Sequence, residues 1–206
     1  VDVPADSLLS VVITTLPVNG TLELSGVAVT ALDEIALADI PNLAFIPAAN
    51  ANGAAYAAFT FQVRDNAGTA NGGIDLDPTP NTMTINVTPV NDAPAGTDTT
   101  LTALEDTPYV FAAADFGFTD PSDAPAPDSL QAVMITALPA DGILELSGVA
   151  VTAGQTIVLA DIPNLTFTPT LNEHGAGYAA FAFRVVGDGG TANGGVDLDQ
   201  SANTIT

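Results

Sequence analysis

The residues of this chain that could do chemistry are oxygen donors with few basic partners. Asn91 and Asp92 stand between the two prolines of Pro89-Val90-Asn91-Asp92-Ala93-Pro94. Asp120 and Asp123 flank a proline in Phe118-Thr119-Asp120-Pro121-Ser122-Asp123, and Glu105 and Asp106 adjoin in Leu104-Glu105-Asp106-Thr107. Asp65, Asp188, Asp197 and Asp199 follow alternating apolar runs. Carboxylates gathered in one place repel each other, and a hard dication that accepts about six to eight oxygens relieves that repulsion. Calcium is therefore the expected cofactor wherever these groups converge, with backbone carbonyls of the proline-rich connector available to complete its shell. A lone Asp in a turn needs no metal, because Asp and Asn favour turns by bonding their own backbone.

The charge balance narrows the partners. Asp and Glu number 24 against two basic residues, Arg64 and Arg184, for a formal charge of −22. Such a surface repels phosphate backbones and anionic lipid, so neither nucleic acid nor membrane insertion is expected. Hydrophobic residues make up 47% of the chain, which favours packed cores over disorder. Catalysis is not expected. His174 is the single histidine and cysteine is absent, so paired imidazole and thiolate chemistry are both missing. The glycines of Thr69-Ala70-Asn71-Gly72-Gly73-Ile74-Asp75 lack the Lys of a phosphate loop. Tyr56 and Tyr178, in matching Gly-Ala-x-Tyr-Ala-Ala-Phe contexts, read as corner or core anchors of a β-sandwich. Carbohydrate binding is kept as an alternative, although the chain has no tryptophan on which a sugar could stack.

An internal repeat dictates the elements that must position these donors. Residues 11–84 return at 133–206 with 47 identities in 74 positions and no gap, so the chain holds two copies of one module. Phe59, Phe61 and Val63 alternate with polar residues, as do Met83, Ile85 and Val87, which is the period of a half-buried strand. Turn signals such as Asn19-Gly20 and Asp141-Gly142 separate the runs, and no 3.6-residue periodicity with caps stands out. The expected fold is all-β: tandem Ig-like Greek-key β-sandwiches, with modules at 1–90 and 91–206.

In the second module, strands are expected near Thr97 to Ala103, Tyr109 to Ala113, Leu130 to Thr136, Tyr178 to Val185 and from Asn203. That placement gathers Asn91, Asp92, Asp120 and Asp123 at one pole, beside Asp188 and Asp197 or Asp199, and leaves Glu105 and Asp106 at the other, facing the next module. The first copy lacks counterparts of Asn91 to Ser122, and the second lacks that of Ile85 to Val90. The sequence thus reads as a window of a longer array or as a filament subunit completed by another chain, and the high identity between copies favours the array.

The motifs Pro89-Val90-Asn91-Asp92-Ala93-Pro94, Leu104-Glu105-Asp106-Thr107-Pro108-Tyr109-Val110-Phe111 and Asp115-Phe116-Gly117-Phe118-Thr119-Asp120-Pro121-Ser122-Asp123 resemble the cadherin-like tandem repeats of large bacterial adhesins secreted by type I systems. The likeness spans essentially the whole chain. It implies sandwiches in series, calcium at the junctions, and an extracellular role in adhesion or biofilm structure. The partners implied are neighbouring repeats or subunits, with a surface receptor or polysaccharide beyond them. By position, it supports Asn91, Asp92, Glu105, Asp106, Asp120 and Asp123 as ligands. Asp65 aligns with Gly187, and Asp188 falls one place later, so the last long loop differs between copies.

Overall fold

The computed structural model describes residues 6–124 and 126–206, and the chain divides into two compact units, Val1–Pro89 and Val90–Thr206. The first unit contains β1 (Leu8–Thr15), β2 (Thr21–Leu24), β3 (Val27–Ala28), β4 (Glu34–Ala36), β5 (Leu43–Ile46), β6 (Gly53–Asp65) and β7 (Asn81–Val87). They form one sheet of order β4-β1-β6-β7 and a second of order β3-β2-β5. The second unit contains β8 (Tyr109–Val110), β9 (Leu130–Ala137), β10 (Ile143–Leu146), β11 (Val149–Ala150), β12 (Thr156–Val158), β13 (Leu165–Thr168), β14 (Phe181–Gly187) and β15 (Asn203–Ile205). Its sheets are β12-β9-β14-β15 and β11-β10-β13-β8. All pairings within the sheets are antiparallel, and each unit is a two-sheet sandwich.

Period-two patterning explains the strands. Along β14, Phe181, Phe183 and Val185 are buried while Ala182, Arg184 and Val186 are less so, which puts one face into the core. Turns are set by local chemistry. Gly20 and Gly142 adopt φ of +74° and +75° against the rings of Phe45 and Phe167, where a Cβ would collide with the ring. The identical Leu-Ala-Asp-Ile-Pro-Asn segments, Leu37–Asn42 and Leu159–Asn164, form matching 3-10 turns.

The cores differ between copies. In the second unit Phe116 meets Phe183 edge to face at 5.0 Å, and Phe111 meets Phe181 at 5.5 Å. Phe111 and Phe116 follow β8, and the first unit shows no counterpart of β8 beside β5 among the described residues. Its Phe61, Leu43 and Ile40 are therefore only half-buried, whereas the matching Phe183, Leu165 and Ile162 are fully enclosed. Val63 is 38% exposed and its equivalent Val185 0%.

Three strands are shorter than their patterns predict. The run from Tyr109 pairs only through Val110, because Asp115 draws the following backbone into a 3-10 turn, Ala113–Phe116. Its carboxylate accepts the Ala112 N–H at 2.8 Å and the Tyr109 hydroxyl at 3.1 Å. The Thr97 to Ala103 run is reduced to a parallel bridge, Thr99 to Ile205, with flanking backbone bonds. Tyr178 to Ala180 lie outside β14. Among the described residues, no helix is long and apolar enough to cross a membrane.

Candidate metal centre

The site is built where the connector docks on the second sandwich. Ala95 and Thr119 exchange both backbone bonds at 2.8 Å, forming an antiparallel bridge that sets Asp120 beside the connector. The loop then turns back, with the Ala126 N–H bonded to the Asp123 carbonyl at 2.9 Å. It delivers Asp128 just ahead of β9. Ligand oxygens of Asp120, Asp123 and Asp128 lie within 4.8 Å of one another, the single such convergence of three or more acids among the described residues.

Each carboxylate is partly held and partly free. Asp120 is 6% exposed; its Oδ2 accepts the Asp128 N–H at 2.6 Å, and its buried Oδ1 has no hydrogen-bond partner. An ionised oxygen buried without a donor is costly, and a cation is the partner that removes the cost. Asp123 Oδ2 accepts the Asp92 N–H at 2.9 Å, and Asp128 Oδ2 accepts the Gly189 N–H at 2.9 Å. Burial pushes the Asp123 carboxyl above its ordinary range, and the charges of Asp120, Asp92 and Asp128 push the same way against the Asp92 N–H. Three carboxylates this close, one with an orphaned oxygen, suit a hard, oxygen-seeking dication.

The remaining sequence candidates have separate placements. Asn91 pins the connector: its Nδ2 donates to the Val196 carbonyl at 2.8 Å, and its own carbonyl accepts the Val196 N–H at 2.9 Å. The fit requires small neighbours, since a Cβ on Gly189 would strike both the Asn91 side chain and Asp128. The first copy has Ala67 at the position of Gly189. Asp188 caps the Ser129 N–H at 2.7 Å and lies next to the cluster without entering it. Asp199 is buried and saturated, accepting from Gly96 and Asn203 through Oδ2 and from Ser201 through Oδ1, so its role is structural.

Glu105 and Asp106 do not join the cluster. Glu105 contacts His174 Nδ1 at 3.1 Å, and Asp106 accepts the Asn172 N–H at 2.7 Å. In the first unit, Asp65 accepts the Ala67 N–H at 2.9 Å in a local turn. There the cation is built in: Arg64 pairs with Glu34 at 2.9 Å and Asp75 at 3.1 Å. The second copy has Val186 and Thr156 in place of Arg64 and Glu34. The tyrosines act as corners, Tyr56 and Tyr178 accepting the N–H of Ala48 and Thr170 at 3.3 and 3.1 Å.

Asp128 is the member of the cluster that sequence reasoning misses. Its signal is faint but present: Asp128-Ser129-Leu130 repeats Asp6-Ser7-Leu8 at the offset of the duplication, while the residues on either side differ between the copies. No family model, curated protein or solved structure matches this chain significantly, so the site is read from its own donors.

Proposed function

We propose that the chain is a calcium-stiffened structural repeat of an extracellular bacterial adhesin stalk or fibre, supporting cell adhesion or biofilm, with no catalytic role. The observation that carries this reading is the convergence of the Asp120, Asp123 and Asp128 carboxylates together with the buried, unpartnered Oδ1 of Asp120. Asp92 is the natural addition, since its backbone already bonds Asp123. A cation held by these acids would tie the connector to the second sandwich and relieve the repulsion that raises Asp123. Extracellular modules work with calcium affinities of about 0.1 to 1 mM, which suits a few carboxylates at a partly open pole. The extracellular setting and the adhesive role are taken from the resemblance of the motifs around Asp92, Asp106 and Asp120 to cadherin-like repeats. Small-angle scattering in millimolar calcium and in chelator tests the stiffening. A narrower distribution of particle lengths with calcium is expected, and an unchanged profile removes the stalk reading.

A further inference from the structure

One face of the second unit keeps a cation without a counter-ion. Strands β9, β12 and β14 point Val133, Ile135, Ile157, Phe183 and Val185 into the core. Alternation therefore turns Met134, Thr136, Thr156, Val158, Arg184 and Val186 to the opposite face. Neither these strands nor β15 contains an acid, in a chain that bears 24. Arg184 has no ion pair or hydrogen bond among the described residues, and its buried Nε is left without an acceptor. The buried Oγ1 of Thr136 is also unpartnered, two residues along β9 from Met134, the cross-strand neighbour of Arg184. Two orphaned polar atoms on one face call for a partner.

The first copy shows how the same face satisfies itself. There Thr14 and Thr60 share a hydrogen bond at 2.6 Å, the Gln62 Nε2 donates to the Asp77 carbonyl at 2.6 Å, and Arg64 pairs with Glu34 at 2.9 Å. In the second copy Ala182 replaces Thr60, which leaves Thr136, the equivalent of Thr14, without its partner. Val186 and Thr156 replace the ion pair, and Arg184 replaces Gln62. The core-facing Val11, Ile13, Ile35, Phe61 and Val63 are unchanged at Val133, Ile135, Ile157, Phe183 and Val185. Along these strands the change thus falls on the outer face, and it runs toward apolar side chains around one free arginine. Interface cores have that composition: few charges, with Met and Arg enriched.

We propose that this face docks a second copy of the chain, whose carboxylate seats on Arg184 and Thr136 while its apolar atoms cover Met134, Val158 and Val186. Charge complementarity chooses the occupant. Every copy carries 24 acids and, with Arg64 paired internally, one unpaired arginine to receive one of them. A guanidinium presents its donors in a fork that matches a carboxylate. Arg184 set against Arg184 would repel, so the contact is heterologous and uses a different surface of the second copy. The face is no sheet edge, since β14 lies between β9 and β15. It is separate from the acid cluster and needs no metal.

Sedimentation equilibrium of the whole chain in chelator, from micromolar to millimolar protein, tests the proposal at about 0.15 M salt, where repulsion beyond about 8 Å is screened. The average mass of the parent should rise with concentration. Arg184→Gln, which installs the residue of the first copy, should weaken association at least tenfold without lowering the melting temperature. The double variant Thr156→Glu, Val186→Arg, which restores the ion pair of the first copy, should weaken it as well. A parent that stays monomeric at millimolar concentration, or association of equal strength in Arg184→Gln, would overturn the proposal. So would a monomeric parent that binds polyglutamate through Arg184, which would assign the face to a different acidic partner.

Discussion

Asp123 carries the clearest residue-scale consequence, because its fold and its neighbours oppose its ionisation. Its carboxyl is raised above the ordinary 3.8 chiefly by burial, with Asp120, Asp92 and Asp128 adding to it. Raised in the fold, the group contributes stability that is complete below 3.8 and disappears as pH climbs through its elevated value. In chelator, Asp123→Asn should therefore melt above the parent at pH 7, and the gap should close below pH 3.8. With calcium the order should reverse, since the parent keeps a ligand that the variant has lost; melting curves at both pH values check this. Asp33 and Asp77 behave oppositely. The backbone N–H groups of Thr30 and Thr79 hold their carboxyls low, so their contributions exist above 3.8 and fade as pH falls through the lowered values. Acid titration of Asp33→Asn should show a smaller loss of stability than the parent over that range.

At the scale of elements, the two copies form a natural comparison, with similar strands around unequal cores. Phe183→Ala should cost about 3 to 5 kcal/mol, as expected when a fully enclosed aromatic is removed and Phe116 loses its edge-to-face partner. Phe61→Ala, at the matching half-buried position, should cost roughly half as much, because part of its transfer energy was never gained. Denaturant unfolding of both variants measures the contrast, and equal costs would contradict the packing described here. The strands themselves were legible in the sequence, as the alternation of Phe181, Phe183 and Val185 shows. The shortened β8 was not, because a side-chain bond from Asp115 to the Ala112 N–H overrode an extended pattern. The acid cluster was half legible. Asp120 and Asp123 stand out beside their proline, whereas Asp128 looks like an ordinary turn residue until the Ala95 to Thr119 bridge, a contact between distant segments, folds the loop around it.

For the whole molecule, the net charge of −22 makes cation binding a matter of stability as well as of site chemistry. A site held tenfold above its dissociation constant adds roughly 1.4 kcal/mol by mass action, worth a rise of roughly 5 °C or more in melting temperature for a domain of this size. Monovalent salt screens the diffuse repulsion between exposed charges but binds a carboxylate oxygen such as the orphaned Oδ1 of Asp120 far more weakly than a dication does. Replacing sodium chloride by calcium at equal ionic strength should therefore raise the melting temperature. The most direct measurement is a calorimetric calcium titration of the parent chain beside Asp120→Asn and the double variant Asp92→Asn, Asp120→Asn. The account predicts saturable binding with a dissociation constant of about 0.1 to 1 mM in the parent, weakened at least tenfold in both variants while strand content by circular dichroism is retained. Absence of binding in the parent, or binding of unchanged strength in the Asp120→Asn chain, would contradict it.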